Sequence, residues 1–143
     1  VRRYFGKTVE DPSFALGVAQ AAYERALRYA QERVQGGGPL IQQQAVGMAL
    51  GEMKMLLEAA ESFVWRTAWS IDNDPGYTPA LGMHCRVFVL ESCVKLVERA
   101  MMLMGGSGVM RDEVMEKHVR DILCMSHTNG GRDVSMIKSV KYL

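Results

Sequence analysis

The chain has 143 residues, of which 48% are apolar and 23% are charged, so it is about one domain long and can bury a single core. Its 17 basic and 16 acidic residues are mixed along the chain and leave a net charge of +1, which argues against nucleic acid and against an anionic lipid surface as partners. No apolar run approaches the roughly 18 to 20 residues of a membrane span, and no apolar segment follows the start as in a secretory signal. We therefore expect no membrane insertion and a cytoplasmic location, or the mitochondrial matrix if the source is eukaryotic.

Three cysteines and three histidines could in principle serve redox or metal chemistry. Cys85 and Cys93 fall on one predicted helix, where a rise of 1.5 Å per residue separates them by about 12 Å, beyond disulfide reach. The cysteines show no paired spacing, and His84 and His118 have no partner ligands on their helices. We expect reduced thiols and no metal site.

The first predicted helix runs over about residues 14 to 34. Asp11-Pro12-Ser13 is a capping sequence, and Gly36-Gly37-Gly38-Pro39 ends the helical pattern. Residues 1–12 are predicted to be a linker from a preceding domain. The expected core face comprises Ala15, Val18, Ala22, Ala26, Tyr29 and Ala30.

A second helix is predicted over about residues 40 to 72, ending at the turn sequence Asn73-Asp74-Pro75-Gly76. At 1.5 Å per residue it is about 48 Å long. The residues expected to face the core are Ala45, Met48, Leu56, Ala59, Phe63 and Thr67.

A third helix is predicted to begin at Thr78-Pro79, an N-cap followed by proline, and to end at Gly105-Gly106. Its apolar residues at three-four spacing are Leu81, Cys85, Phe88, Val89, Ser92, Leu96, Val97, Ala100 and Leu103. Shorter helices are predicted over about residues 112 to 125 and 132 to 141. No convincing strand pattern is present.

These elements predict an all-α fold, an up-and-down four-helix bundle with a short extra C-terminal helix, in which residues 1–143 form one domain. Long helices joined by short turns pack as antiparallel neighbours. Four small residues are expected to let helices approach closely: Ala19, Ala22, Gly47 and Gly51. Most of the 11 methionines are interpreted as core filling.

Short motifs in a fixed order resemble the C-terminal helical domain of the acyl-CoA dehydrogenase family over about residues 14 to 143. They are Gly17-Val18-Ala19-Gln20-Ala21-Ala22, Tyr29-Ala30-Gln31-Glu32-Arg33, Gln44-Ala45-Val46 with Leu50-Gly51-Glu52-Met53, Gly105-Gly106-Ser107-Gly108, and Arg120-Asp121. Members of that family are flavoproteins that desaturate acyl thioesters. In them this domain packs on a β-domain and an N-terminal helical domain, builds a dimer or tetramer, and contributes to an FAD site that crosses a subunit boundary.

The resemblance implies four residues of a cofactor site. Arg33 would face the flavin pyrophosphate of a neighbouring subunit, Gln44 would lie near the same nucleotide, and Gly105 and Gly106 would let the backbone approach it. Each has a plainer alternative. Arg33 lies in the last turn of a helix, where any cation is favourable, the glycine pair can simply stop a helix, and Gln44 can be solvated.

The sequence departs from the family at the catalytic base, because Asn129 stands where the resemblance places a glutamate. An amide cannot accept the substrate proton at neutral pH. Some members carry the glutamate just before the first helix instead, near Lys7 and Thr8 of this chain. Glu10 and Asp11 lie close to that position but out of register, so a moved base remains an alternative.

Two further departures lie near the cofactor: Gly36 replaces a phenylalanine, and Met102 replaces a glutamine before the glycine pair. His127 is an alternative acid–base group, since flavin monooxygenases of the same fold lack the glutamate. A single loop histidine is also commonly solvated or capping.

The sequence therefore predicts the C-terminal domain of an FAD-dependent oxidoreductase of acyl-CoA thioesters in fatty acid metabolism, which contributes oligomer contacts and part of the FAD site. These 143 residues alone are not expected to bind FAD or turn over, because they cannot supply the family's other domains. The expected partners are a second copy or a paired dehydrogenase subunit. The alternatives are a stand-alone helical interaction module, a non-catalytic subunit of a heteromeric dehydrogenase, and a flavin monooxygenase-type member of the fold.

Overall fold

The computed structural model describes the backbone of residues 2–142 and the side chains of residues 9–142. Within these limits the chain forms five α-helices: α1 (Arg2–Glu32), α2 (Gln44–Asn73), α3 (Pro79–Met104), α4 (Met115–His127) and α5 (Gly131–Ser139). Successive helices from α1 to α4 run in alternating directions, and α3 packs against each of the others. The predicted all-α bundle with a short C-terminal helix is confirmed. In the described part of the chain no helix has the length and apolar character needed to span a bilayer.

Helix α1 begins at Arg2, well before the predicted start at residue 14, and it runs through Pro12. Proline has no N–H to donate to the preceding turn, which normally ends a helix. Here the Ser13 hydroxyl donates a hydrogen bond to the carbonyl oxygen of Val9 at 2.7 Å, which adds a side-chain bond to the turn that contains Pro12. The capping sequence at residues 11–13 was therefore a wrong indication of the helix start.

A small hairpin follows α1, where the sequence predicted only a helix stop. Strands β1 (Val34–Gln35) and β2 (Gly38–Pro39) pair antiparallel, with Val34 opposite Pro39. The two turn residues, Gly36 and Gly37, have φ of +68° and +94°. Two consecutive positive φ angles are the requirement of the tightest hairpin turn, and glycine meets it without strain.

The contact between α1 and α3 is lined by small residues. Five alanines of α1 have no exposed surface and lie at three-four spacing: Ala15, Ala19, Ala22, Ala26 and Ala30. They pack against the buried face of α3, which includes Cys85, Val89, Leu96, Val97 and Ala100, as predicted. Because alanine side chains are short, the backbones of the two helices can approach closely. This pair forms the centre of the core.

The core face of α2 differs from the predicted one. Ala45, Met48 and Ala59 are exposed, whereas the buried residues are Ala49, Leu50, Met53, Leu57, Ala60, Val64, Thr67 and Ser70. Helix α2 is apolar on two faces, so its periodicity could not choose between them. Gly47 and Gly51 also lie away from the core, with no atom within 4 Å of where a Cβ would be, so they do not bring helices together within this chain.

Helix α4 begins at Met115, later than the predicted residue 112, because Val114 adopts a left-handed conformation with φ of 63° and separates it from a 3₁₀ turn at Arg111–Glu113. Helix α5 ends at Ser139, and a 3₁₀ turn continues from Val140 to Tyr142. Cys85 and Cys93 are buried thiols, and burial raises the pKa of Cys93 to about 12. Both therefore remain protonated at neutral pH and contribute to the core rather than to chemistry.

Candidate functional site

The four residues of the predicted cofactor site lie at one end of the bundle, where α1 and α3 end and α2 begins. Arg33 follows α1 directly, Gln44 is the first residue of α2, and Gly105 and Gly106 follow α3. A hydrogen bond from the Tyr29 hydroxyl to Oγ of Ser107, at 3.3 Å, holds the ends of α1 and α3 together. We call the region formed by Arg33, Gln44, Gly105 and Gly106 the hairpin end.

At the hairpin end, the backbone of Arg33 is fixed while its side chain is exposed. The Arg33 N–H donates to the Tyr29 carbonyl at 2.9 Å, and the Arg33 carbonyl accepts from the Leu40 N–H at 2.8 Å. Among the described residues, no carboxylate forms an ion pair with its guanidinium. Gln44 is also exposed, and it is the neighbouring Gln43 whose side chain bonds the hairpin. The positively charged guanidinium of Arg33 is therefore accessible to a ligand or to another subunit at this end of the bundle.

The two glycines of the pair differ in what their own chain requires of them. Gly105 has φ of 57° and ψ of −138°, a combination that a residue with a Cβ adopts only under strain. It ends α3, which fits the plainer interpretation of a helix stop. Gly106 has no positive φ, is exposed, and has no atom within 4 Å of a Cβ position. Nothing in the described part of the chain requires a glycine at Gly106.

The opposite end of the bundle brings together an ion pair and the residue at the family's base position. Asp11 of α1 accepts a hydrogen bond from Nε of Arg86 at 3.1 Å and another from Nδ2 of Asn129 at 2.7 Å, both at Oδ2. The Asp11 side chain is 23% exposed, so the carboxylate remains accessible. We call the region formed by Asp11, Arg86 and residues 128–131 the turn end.

Arg86 was not singled out from the sequence, although it is the most connected side chain of the turn end. It lies on α3, is only 4% exposed, and extends its guanidinium under the turn between α4 and α5. Besides Asp11, it donates to the carbonyl and hydroxyl oxygens of Thr128, to the Gly131 carbonyl and to the Ser135 hydroxyl. A single charged residue within the otherwise apolar and neutral stretch from residue 80 to 90 was the signal that could have identified it.

Asn129 itself sits in the turn in a left-handed conformation, with φ of 54° and ψ of 26°. Asparagine is among the few non-glycine residues that adopt this conformation readily. Its amide nitrogen donates to Asp11 and its side chain is exposed. The other acidic residue considered near this end, Glu10, is exposed. The side chains of Lys7 and Thr8 lie outside the described residues.

His127 ends α4, and its ring contributes to the helix terminus. Its Nδ1 lies 2.8 Å from the carbonyl oxygen of Leu123, which can only accept, so Nδ1 carries the hydrogen. Oγ of Ser126 lies 3.0 Å from the same nitrogen. These contacts support the capping interpretation. His127 also lines an open groove of about 680 Å³ beside Arg86, between α3 and the segment that joins α4 to α5.

The two ends are separate partial sites. From Arg86 to Gly105 the axis of α3 covers about 28 Å, at 1.5 Å per residue. Within the described residues, no group of three or more His, Cys, Asp or Glu side chains could hold a metal ion. The chain therefore offers an exposed cation and an open backbone at one end, and a buried arginine with a carboxylate and an amide at the other.

Comparison with known proteins places this arrangement in a family. A protein-family profile described as "Acyl-CoA dehydrogenase, C-terminal domain" matches residues 13–141. The short-chain specific acyl-CoA dehydrogenase of Bos taurus mitochondria is 36% identical over 109 residues, which are 76% of this chain and 26% of that protein. The 3-sulfinopropanoyl-CoA desulfinase of Cupriavidus necator is 34% identical over 118 residues, covering 82% of this chain and 29% of that protein.

Solved structures show the same fold. Butyryl-CoA dehydrogenase from Megasphaera elsdenii superposes with a TM-score of 0.88 at 24% identity, over 96% of this chain and 36% of that one. The chain thus spans only about a quarter to a third of the length of these relatives. The profile match covers nearly all of the sequence and agrees with the helical bundle, so the chain belongs to the acyl-CoA dehydrogenase family, in which it corresponds to the C-terminal domain.

Proposed function

We propose that the chain is the C-terminal domain of an FAD-dependent oxidoreductase that acts on acyl-CoA thioesters, and that Asp11 is its catalytic base. The hydrogen bond between Asp11 and Asn129 carries this proposal, since it places a carboxylate 2.7 Å from the residue at the family's base position. The sequence positions of Glu10 and Asp11 left a moved base open. Asp11 makes the contact with Asn129, whereas Glu10 is exposed on the same helix.

Desaturation requires a base to remove a proton from the carbon next to the thioester carbonyl. Bound FAD supplies the acceptor for the hydride that leaves the adjacent carbon. On our proposal, Asp11 takes the proton at a carboxylate oxygen, and Asn129 and Arg86 orient that carboxylate by donating to it. Asn129 then serves as a hydrogen-bond donor rather than as a base.

The residues of the hairpin end fit the pyrophosphate of FAD. The Arg33 guanidinium is exposed and unpaired among the described residues, and Gly106 presents a backbone without a side chain in front of it. A guanidinium pairs bidentately with phosphate, and peptide N–H groups donate to anions. Because this end lies about 28 Å from the turn end along α3, we assign it to the flavin of a neighbouring subunit.

The test of the function is anaerobic titration of the complete FAD-loaded protein with acyl-CoA thioesters of increasing chain length. Loss of the oxidised flavin absorbance near one equivalent of substrate, with release of the enoyl-CoA, supports the proposal. A flavin that stays oxidised with every thioester contradicts it.

We propose the cytoplasm as the location of the protein, or the mitochondrial matrix in a eukaryote.

One observation favours a second candidate. Asn129 cannot ionise, and a relative 34% identical to this chain is named a desulfinase of 3-sulfinopropanoyl-CoA rather than a dehydrogenase. A family member could thus use the scaffold to cleave a different bond of an acyl-CoA. Product formation without net flavin reduction, when the titrant is an acyl-CoA that carries a sulfino group, would indicate this candidate. If the titration gives neither flavin reduction nor product, a non-catalytic subunit or an interaction module is favoured over these two enzymes.

The exposed face of α2 supports an oligomer. Four large apolar side chains on it are at least 60% exposed: Met48, Met55, Trp65 and Trp69. They extend over about 30 Å of the helix, with the small residues Gly47, Gly51 and Ser62 between them. Exposed apolar patches of this kind mark protein interfaces, and we propose a second copy or a paired dehydrogenase subunit as the partner.

Replacing Trp65 with glutamate is expected to shift the protein to a smaller assembly, because a charge buried without a partner is costly at an apolar interface. Sedimentation velocity at micromolar concentration measures the assembly. Ile137→Glu is the matched control, since Ile137 is 69% exposed but lies on α5. An unchanged sedimentation coefficient in Trp65→Glu, or an equal shift in both variants, would contradict the interface.

Alanine substitutions should distinguish the roles of the two glycines of the hairpin end, Gly105 in stability and Gly106 in FAD binding. Gly105→Ala is expected to lower the free energy of unfolding by about 1 to 2 kcal/mol, because alanine is strained at its φ of 57°. Gly106→Ala should leave stability within about 0.5 kcal/mol but reduce the FAD content of the purified protein. Urea unfolding and the ratio of flavin to protein absorbance measure the two effects. Full FAD content in Gly106→Ala would remove this glycine from the proposed cofactor site.

A further inference from the structure

We propose that Arg86 is a positioning residue, which holds Asp11 and the 128–131 turn in one arrangement so that the Asp11 carboxylate faces the substrate. The inference rests on the proposed function, in which Asp11 is the base. It concerns a buried arginine of α3 that the family resemblance gives no role. Arg86 acts through Asp11 and does not itself touch the substrate.

The Arg86 guanidinium joins parts of the fold that are far apart in sequence. Asp11 lies on α1, Arg86 on α3, Thr128 in the turn after α4, and Gly131 at the start of α5. From α3, the guanidinium contacts both α1 and the connection from α4 to α5. Nε donates to Asp11, Nη1 to Gly131 and Ser135, and Nη2 to Thr128. The three nitrogens of one planar group therefore fix the relative positions of three segments.

Arg86 is buried more deeply than the carboxylate that it contacts. Arg86 is 4% exposed, whereas the Asp11 side chain is 23% exposed. The cation is thus enclosed by its partners, while the carboxylate it orients still reaches the surface beside Asn129. The ion pairs within α4, such as Lys117 with Asp121, instead join residues one turn apart on a single helix and connect no separate segments.

The shape of the donor also matters. A guanidinium presents its N–H groups in a rigid fork, whereas a lysine ammonium is a single point on a flexible chain. A lysine has one donor nitrogen, so it could not reproduce the separate contacts of Nε with Asp11 and of Nη2 with Thr128. The geometry therefore requires arginine and predicts that Arg86→Lys is a poor substitute.

The test is a double-mutant cycle on the complete FAD-loaded protein, comprising Arg86→Lys, Asp11→Asn and the double variant. The readout is the maximal rate of flavin reduction at saturating acyl-CoA, with the KM determined separately. We expect Arg86→Lys to lower the maximal rate about a hundredfold with little change in KM, since a displacement near 1 Å of a catalytic group has effects of that size. In the Asp11→Asn background the same change should lower the rate less than about threefold.

Two results would overturn the inference. One is a multiplicative loss in the double variant, which would show that Arg86 acts independently of Asp11. The other is a wild-type maximal rate in Arg86→Lys. Ser135→Ala is the control, because it removes one Arg86 contact but leaves those to Asp11 and Thr128 intact. It should retain a near-normal rate, and a loss as large as that of Arg86→Lys would also contradict the inference.

Hydrogen–deuterium exchange tests the positioning role of Arg86 without any measurement of activity, so it distinguishes a failure of this inference from a failure of the proposed function. If the wild-type protein does not reduce its flavin, the proposed function fails, but the positioning claim can still be tested. Faster exchange of both the 9–13 and the 128–131 amides in Arg86→Lys supports it. Unchanged exchange in these two segments overturns it, whatever the activity.

Discussion

Asp11→Asn is expected to lower the rate of flavin reduction by acyl-CoA at least about a hundredfold, the usual contribution of a positioned general base. Asparagine is nearly isosteric with aspartate, and its amide oxygen can still accept a hydrogen bond from Arg86, but the amide cannot accept the substrate proton. Stopped-flow absorbance of the complete protein under anaerobic conditions measures the rate. FAD content and substrate affinity should change little, because the variant removes proton transfer and not binding.

Two further variants make this result specific. Glu10→Gln removes the exposed carboxylate next to Asp11 and should leave the rate unchanged. Asn129→Glu combined with Asp11→Asn moves the carboxylate to the other side of the same hydrogen bond, and it should recover part of the lost rate. Asn129→Glu alone should not help, because it places two like charges beside each other. A normal rate in Asp11→Asn would show that Asp11 is not the base.

Arg86→Leu is expected to lower the free energy of unfolding of the bundle by about 3 to 5 kcal/mol, the usual cost of breaking a buried ion pair from one side. Leucine removes the cation that pairs with Asp11 and the donor to the Thr128 and Gly131 carbonyls, while Asn129 still donates to Asp11 and Ser135 to Gly131. Urea unfolding followed by far-ultraviolet circular dichroism measures the change. An expected loss of this size is a large part of the stability of an ordinary domain.

The matched control is Arg99→Leu, also on α3. Arg99 pairs with Glu52 at 3.4 Å, and the two side chains are 50% and 52% exposed. Exposed pairs of this kind contribute less than about 1 kcal/mol, so Arg99→Leu should be nearly neutral. Equal losses in the two variants would indicate that arginine side chains in general, and not the buried network of Arg86, are responsible.

The number, order and class of the helices could be predicted from local features. The turn at residues 73–76, the Thr78-Pro79 start and the Gly105 stop of α3 all act within a few residues, and the structure confirms the helix ends that they predict. The start of α1 could not be predicted in this way. Pro12 normally marks a helix end, but here its side chain is fully buried against the rest of the bundle, and such tertiary packing can override a local preference.

The local hydrophobic periodicity also could not predict which of the two apolar faces of α2 is buried in the bundle. Leu50, Met53 and Leu57 turn towards this chain, while Met48 and Trp69 turn away from it. A periodic pattern states that a helix has apolar faces, but not which face meets its own bundle and which is left for a partner. The prediction that Met48 faces the core failed for this reason.

The turn end shows most clearly the difference between features that the local sequence reveals and features that depend on tertiary packing. Sequence order identified Asn129 as a departure from the family and left Asp11 open as an alternative base. It could not reveal that the two side chains touch, because 118 positions separate them in the chain. Hydrophobic periodicity and capping residues act over one or two helical turns and so are visible in the sequence. The contacts of Arg86 join segments that meet only when α1, α3 and α4 pack together, and that meeting is a property of the folded chain.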